Sequence, residues 1–130
     1  MADATPRPTL AEAIRKFANG REVQTGLLEL DVPPLVENGN AVGVTVQIGP
    51  GIGVGLHVRR IGLFNEKNPL AEIALFHFGM PVPSPKVATR VRLATTQDVT
   101  AVAELSDGSC WESTVHVIVT LAACIEDLGP

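Results

Sequence analysis

The 130-residue sequence contains no tyrosine, one tryptophan and only two cysteines, so neither aromatic packing nor a disulfide framework is the basis of its fold. A single domain of this size can bury roughly two thirds of its unfolded surface, and it therefore needs no disulfide bond or metal ion to fold. No apolar run approaches the ~20 residues of a membrane-spanning helix. The net charge of −4 disfavours nucleic acid and anionic membranes as partners, and we expect neither.

The N-terminal residues have neither the basic segment nor the apolar segment of a secretory signal peptide. The sequence therefore fits either a cytoplasmic protein or the mature form of an exported one, and two cysteines do not distinguish these compartments. Residues 1–8 are polar and contain prolines, which predicts a disordered N-terminus. A single domain is expected over residues 9–121, followed by a C-terminal arm over residues 122–130.

A short amphipathic helix is predicted near the N-terminus. Thr9 and Glu12 have the spacing of a capping box, in which each side chain accepts a hydrogen bond from the backbone N–H of the other residue. The Asn-Gly pair at 19–20 is a typical helix stop. The apolar face of this helix consists of Leu10, Ile14 and Phe17.

The rest of the chain has short apolar runs separated by glycine and proline, a pattern that favours many short strands over long helices. Turns are predicted at Glu37–Asn40 and at Ser106–Ser109. The seven strand-like runs are 28–32, 42–48, 56–64, 73–78, 87–93, 99–105 and 110–121. They predict an all-β antiparallel sandwich of about seven strands. Its core is expected to contain Val44, Val46, Val91, Val117 and Val119.

The last strand-like run, 110–121, ends just before the principal candidate for a functional residue. Its second half alternates apolar and mostly polar residues, which is typical of a strand with one buried face. Once paired in a sheet, such a strand would present the thiol of Cys124 on a short arm. The alternative is that Cys124 is a small, apolar-like residue in a tail, without chemistry of its own.

Five segments carry a resemblance to a known family: Glu37–Asn40, Phe64–Pro69, Phe76–Phe78, Thr89–Ala94 and Ala101–Gly108. In their residues and in their order they resemble the SoxY family, the sulfur-carrier subunits of bacterial thiosulfate oxidation. The resemblance extends from about Leu10 to Cys124.

The resemblance implies an immunoglobulin-like β-sandwich that forms a heterodimer with a second sandwich subunit, SoxZ. It implies a periplasmic protein that is exported with a twin-arginine signal. It also implies a carrier subunit, not an enzyme, in which pathway intermediates stay covalently attached to a cysteine near the C-terminus while separate sulfur-oxidation enzymes act on them. Cys124 is the residue that matches this cysteine, and we expect no cofactor.

The sequence departs from the family at the carrier motif, which reads Gly-Gly-Cys-Gly-Gly in other members. Ala122 and Ala123 replace the leading glycines, and residues 125–130 replace the trailing pair. Alanine makes an arm stiffer and bulkier than glycine does, and the acidic pair at 126–127 disfavours a thiolate and repels anionic sulfur species. The retained cysteine favours a sulfur carrier, whereas the altered motif favours a SoxY-like binding or structural subunit that has lost the carrier role. An unrelated β-sandwich interaction module is the third hypothesis.

The remaining candidate residues favour structural interpretations. Cys110 lies beside Trp111, and its expected role is to fill space in the packed interior. The three histidines lie on different predicted strands without the spacing of a zinc motif, so no metal site is expected; they are His57, His77 and His116. Four arginines are expected to lie on outer strand faces in contact with solvent. Alternatively, they form a cationic patch that binds an anion or a partner subunit. They are Arg59, Arg60, Arg90 and Arg92.

The two cysteines are not expected to bridge within one chain. An extended strand over 110–121 separates its two ends by on the order of 35 Å, at ~3.3 Å per residue. This separation is far beyond the ~7 Å limit on the Cα–Cα distance of a disulfide. Cys124 is therefore the thiol expected to carry sulfur or to form an intermolecular disulfide. A seven-stranded open sandwich also leaves edges and faces that a second subunit can cover, so we expect self-association into a homo-oligomer when the partner is absent.

Overall fold

The computed structural model describes residues 7–49, 52 and 55–121, and within these residues the chain forms one short helix and nine strands. The helix and the first four strands are α1 (Leu10–Phe17), β1 (Val23–Thr25), β2 (Leu28–Asp31), β3 (Leu35–Asn38) and β4 (Val42–Ile48). The other strands are β5 (Val58–Asn65), β6 (Glu72–His77), β7 (Lys86–Val91), β8 (Gln97–Leu105) and β9 (Cys110–Leu121).

The strands form two sheets around a shared core. The large sheet has the order β1-β9-β8-β5-β6, and β3 also pairs with the second half of β9. The small sheet has the order β2-β4-β7. All pairings are antiparallel except those of β1 and β3 with β9, which are parallel. The predicted β-sandwich with an N-terminal helix is confirmed.

The core contains all five valines that were predicted for it. They are buried and belong to one cluster of side chains contributed by both sheets. Burying a valine fully contributes about 1.5 kcal/mol or more relative to leaving it exposed. A slip of one residue in any of these strands would turn its valines toward solvent, so the apolar face fixes the register of the sheets.

The seven predicted strands are all present, with no end displaced by more than two residues, and two further short strands are added. The turn predicted at Glu37–Asn40 is shorter than expected, because Glu37 and Asn38 belong to β3 and only Gly39 and Asn40 form the turn. The other added strand, β1, has only three residues, of which one is apolar. Runs this short have no resolvable period, and their partner strand lies at the far end of the chain.

The segment from β1 to β3 crosses between the two sheets and returns. Val23 in β1 pairs with Cys110 at the start of β9, whereas Leu35 in β3 pairs with Ile118 near its end. Between them the chain enters the small sheet as β2. Gly26 lies at the first crossing with φ of 106°, a backbone conformation that favours glycine. This segment therefore joins the two sheets along the edge of β9.

Helix α1 has the predicted capping box. The Thr9 hydroxyl accepts a hydrogen bond from the Glu12 N–H at 3.1 Å, and a Glu12 carboxylate oxygen accepts one from the Thr9 N–H at 2.8 Å. The helix packs on the outer face of the large sheet, where Phe17 contacts Phe64 edge-on with ring centroids 5.6 Å apart. This second apolar cluster is separate from the main core and consists of Phe17, Ala18, Phe64, Val102 and Cys110.

Residues 1–6 lie outside the described residues, so their expected disorder stays a prediction. The Arg7 guanidinium donates hydrogen bonds to the carbonyl of Asn68 at 2.6 Å and to that of Asn65 at 2.9 Å. In the described part of the chain, no helix is long and apolar enough to cross a membrane.

The contact between α1 and the large sheet predicts a difference between two glycine substitutions. A Cβ at Gly62 would lie 2.6 Å from the Phe64 ring and 3.0 Å from the Phe17 ring, so Gly62→Ala forces both buried rings to move. We expect it to lower the free energy of unfolding by about 1–3 kcal/mol, the typical cost of overpacking. The measurement is urea denaturation followed by tryptophan fluorescence.

Gly43→Ala is the matched control, because Gly43 also lies within a strand and a Cβ there meets no atom within 4 Å. We expect its stability to stay within about 0.5 kcal/mol of the parent protein. Equal stability of the two variants would contradict tight packing of α1 on β5.

Candidate functional site

Strand β9 is paired through its last residue, so the described part of the chain ends at a hydrogen-bonded position of the large sheet. Val36 and Asn38 of β3 pair with Val119 and Leu121. The Val119 N–H also donates to the Thr96 hydroxyl at 2.9 Å. Cys124 follows three residues after Leu121 and lies outside the described residues. Its assignment as the attachment site therefore stays a prediction.

Gly39 packs closely behind the end of β9. Its carbonyl accepts a hydrogen bond from the Leu93 N–H at 2.8 Å, and a Cβ at this position would overlap the Leu93 carbonyl. The same Cβ would lie 3.3 Å from a methyl group of Val119. Gly39 is therefore required, because a side chain at this position would collide with the Leu93 backbone.

Cys110, the other cysteine, is buried at the opposite end of β9. It packs with Phe17, Phe64 and Val102 under helix α1, and its Sγ lies 3.8 Å from the Gly108 carbonyl oxygen. Burial raises the pKa of the Cys110 thiol, and the nearby carboxylate of Glu104 raises it further. A thiol that is covered and held protonated is unreactive. The predicted packing role of Cys110 agrees with this environment.

The three histidines lie at different places in the fold. His77 lies on the edge strand β6, and His57 precedes β5. His116 is exposed on β9, where its Nδ1 lies 2.7 Å from a carboxylate oxygen of Asp98. Within the residues that the structure describes, no three side chains of histidine, cysteine, aspartate or glutamate are grouped as metal ligands.

Arg60 differs from the solvated role that was expected for it. Its guanidinium donates to the Glu104 carboxylate at 2.7 Å and to the Phe17 carbonyl at 2.7 Å, and it lies 4.0 Å from the centroid of the Phe17 ring. The side chain is about one fifth exposed. Arg60 therefore fastens the C-terminal end of α1 to the large sheet. The other three arginines, Arg59, Arg90 and Arg92, are exposed as expected.

The sequence pattern could not reveal the role of Arg60. Alternation along a strand indicates which residues leave the main core, and Arg60 does leave it. The pattern does not indicate that a helix covers this part of the outer face. The signal that was available is the run Ile61 to Phe64, which is apolar or glycine at every position and so predicts burial on both faces.

A model of the family described as "Sulfur oxidation protein SoxY" matches residues 14–124 of the chain. The chain belongs to the SoxY family. The match includes nearly the whole sandwich and ends at Cys124, the cysteine that the resemblance had indicated.

Solved structures agree with this membership. The sulfur carrier protein SoxY from Chlorobium limicola f. thiosulfatophilum is 25% identical, with a TM-score of 0.73, and the alignment covers 87% of this chain and 97% of that protein. The superoxide reductase (neelaredoxin) of Ignicoccus hospitalis is 18% identical, with a TM-score of 0.61 over 75% of this chain and 94% of its own. The superoxide reductase of Nanoarchaeum equitans is 13% identical, with a TM-score of 0.60 over 74% and 100%. A comparison with curated proteins finds no match.

The superoxide reductases share the fold of this SoxY chain, and their likeness carries no statement about activity. Their identity to it is below 25%. The described residues contain no group of metal-ligating side chains that could be compared with a metal centre. The candidate site stays the one predicted from the sequence, Cys124, three residues beyond the end of β9.

The raised pKa of Cys110 predicts a loss of stability at alkaline pH. The unfolded chain releases the thiol proton above the ordinary thiol pKa of 9.0, whereas the folded chain holds it. Unfolding is therefore increasingly favoured as the pH rises above 9.0. The stability that the buried thiol contributes is fully present only below this pH. We expect the stability advantage of the parent protein over Cys110→Ala to shrink between about pH 8 and pH 10.5.

The measurement is urea denaturation at a series of pH values under reducing conditions. Cys124→Ala serves as the control, because its difference from the parent should not change in the same way. A pH-independent difference between the parent and Cys110→Ala would show that the thiol is solvated in the folded protein.

Proposed function

We propose that this SoxY chain is a sulfur carrier that holds pathway intermediates covalently on Cys124 while partner enzymes act on them. The observation that carries the proposal is the family match, which runs through the whole described sandwich and ends at Cys124. The Chlorobium protein of the same fold is described as a sulfur carrier. The fixed end of β9, three residues before Cys124, supports a thiol presented at one end of the sandwich.

The environment of the second cysteine supports this choice of residue. Cys110 has no exposed surface and its pKa is raised by burial, so it is a poor nucleophile. A carrier thiol must reach the pockets of several enzymes, which a thiol under a helix does not do. Of the two cysteines in the sequence, Cys124 is the one suited to carrying a sulfur intermediate.

Attachment of sulfur to Cys124 is an oxidation that requires a partner. Joining a thiol to the outer sulfur of thiosulfate forms one sulfur–sulfur bond and releases one proton and two electrons. The carrier holds no group that accepts these electrons in its described residues, so an enzyme with an electron acceptor must supply the oxidising step. Hydrolysis or further oxidation of the bound species would be the work of other enzymes. The chain itself carries the intermediate on which these enzymes act, and it does not catalyse their reactions.

Membership of the family supports a proposal for the partner and for the compartment. A SoxZ-like sandwich subunit is the proposed heterodimer partner, and the periplasm is the proposed location. The sheets of the described residues have outer strands that a second subunit could cover. An intermolecular disulfide through Cys124 is expected when the partner is absent and the medium is oxidising.

A second function is favoured by the residues around Cys124. Ala122 and Ala123 stand where other family members have glycines, and Glu126 and Asp127 follow the cysteine. These changes reduce the flexibility of an arm and disfavour a thiolate. In this alternative the chain is a SoxY-like binding or structural subunit that no longer carries sulfur.

The two proposed functions predict different masses for the protein after incubation with thiosulfate and the partner enzymes. We expect incubation with thiosulfate and the oxidising partner enzymes to add a thiosulfonate group to the parent protein and to Cys110→Ser. Cys124→Ser should gain nothing, because it lacks the accessible thiol. The measurement is intact-mass spectrometry without reductant, followed by peptide mapping of the modified residue.

Alkylation of the folded protein provides the control. Iodoacetamide should label Cys124 quickly and Cys110 only after denaturation. An unmodified parent protein whose Cys124 still alkylates quickly would favour the structural subunit over the carrier. Sulfur found on Cys110 would overturn the assignment altogether.

A further inference from the structure

A cleft lies between helix α1 and the outer face of the large sheet, beside the first half of β9. Its volume is about 520 Å³, which is within the range of sites that bind small molecules. Leu10 and Ile14 of α1 and Val23 of β1 line it with apolar side chains, whereas β8 and β9 contribute polar and acidic ones. The cleft therefore places a polar sheet surface next to an apolar helix surface.

Glu112 of β9 is the charged residue of this cleft that lacks a partner. Its side chain is partly buried, and burial raises the pKa of its carboxyl. Among the described residues, no hydrogen bond or ion pair is formed with this carboxylate. A carboxylate that loses water without gaining a donor is destabilised. A ligand that donates hydrogen bonds to Glu112 would relieve this cost.

Two of the other charged side chains that line the cleft already have polar neighbours. A carboxylate oxygen of Asp98 lies 2.7 Å from Nδ1 of His116 on the adjacent strand. Arg15 lies near Glu12 on α1. Hydrogen bonds with Thr9 lower the pKa of Glu12, and the charge of Arg15 lowers it further.

The last charged side chain of the cleft, Arg21, has its guanidinium against Gly108 in the turn between β8 and β9. Hydrogen bonds with Ser109 lower the pKa of Asp107 in this turn, and the nearby charge of Arg21 lowers it further. Arg21 thus has an acidic neighbour outside the cleft. The charge that a ligand has to complement is the negative charge of Glu112.

Two hydroxyl groups lie beside Glu112 on the same face of the sheet. Thr100 and Thr114 are cross-strand partners whose Oγ1 atoms are 2.7 Å apart. Their mutual hydrogen bond leaves lone pairs on the exposed Thr114 oxygen that can accept another donor. A carboxylate and a hydroxyl oxygen next to apolar side chains fit an ammonium group that carries an alkyl chain.

We infer that this cleft binds a small alkylamine in its protonated form. The ammonium group donates hydrogen bonds to the Glu112 carboxylate and to the Thr114 hydroxyl, and the alkyl chain contacts Leu10, Ile14 and Val23. An anionic ligand would be repelled by Glu112, and an uncharged one would leave its charge unpaired. The cleft lies beside the first half of β9, whereas Cys124 follows the end of this strand, so the inference does not rest on the proposed carrier function.

The experiment is an NMR titration of the full chain with n-butylammonium chloride under reducing conditions. We expect saturable shifts of the backbone amides that line the cleft, with a dissociation constant on the order of 1 mM. Sodium butyrate and 1-butanol have the same chain length without the positive charge. Each should bind at least about tenfold more weakly than butylammonium.

Two variants test the charge and the apolar wall separately. Glu112→Gln should raise the dissociation constant for butylammonium about tenfold or more. Leu10→Ala should raise it about threefold and leave the weaker binding of methylammonium unchanged, because only the longer chain reaches this side chain. Glu29→Gln is the control, since it removes an exposed carboxylate from β2 and should change neither value. Circular dichroism and the melting temperature establish that each variant is folded.

The inference is wrong if butylammonium causes no saturable shifts at the cleft up to about 100 mM, or if Glu112→Gln binds it as tightly as the parent protein. Equal binding of butyrate or 1-butanol would overturn the choice of ligand. A SoxZ-like subunit that displaces butylammonium, and that binds Glu112→Gln more weakly than the parent, would also overturn it. That result would assign the cleft to a lysine side chain of the partner.

Discussion

The pairing of β9 along its whole length is the constraint on which the rest of the structure depends. One side of this strand pairs with β8, from Gln97–Val117 to Glu104–Cys110. Its other side is divided between β1 and β3, two short parallel strands from the same N-terminal segment. Because that segment enters the small sheet between its two contacts with β9, it ties both sheets to the last strand. Strand β9, the last described strand, is therefore hydrogen-bonded to three other strands, β1, β3 and β8.

Much of this architecture could be predicted from local sequence patterns. Val42–Ile48 alternates cleanly, Ser106–Ser109 contains a turn with Gly108 at φ of 87°, and Thr9 and Glu12 form the capping box. Each of these signals lies within a few residues of its consequence. The strands β1 and β3 could not be predicted, since they acquire their strand conformation from β9, more than 80 residues away. Parallel pairing across such a separation leaves no turn signal in the sequence.

The candidate site was predictable in a different way. The packing role of Cys110 follows from its position beside Trp111 at the start of a strand, whereas Cys124 became a candidate carrier through resemblance to a family. Arg60 was misjudged because a polar residue on an outward face normally meets water, and here it meets helix α1. That helix turns part of an outer face into a second core. Sequence alternation describes one buried face, and it gives no information on what lies over the other.

The extended length of β9 bears on whether the two cysteines can form a disulfide. If the 12 residues of β9 formed a helix, their ends would lie about 18 Å apart, whereas the extended strand places them on the order of 35 Å apart. Cys124 is only three residues beyond Leu121, and three residues reach at most ~10 Å, so even a chain that turned back would leave the cysteines too far apart for a bond. Helix α1 adds a second barrier, because Phe17 covers Cys110 from outside. We therefore expect no disulfide between Cys110 and Cys124, which leaves the proposed carrier thiol free to react.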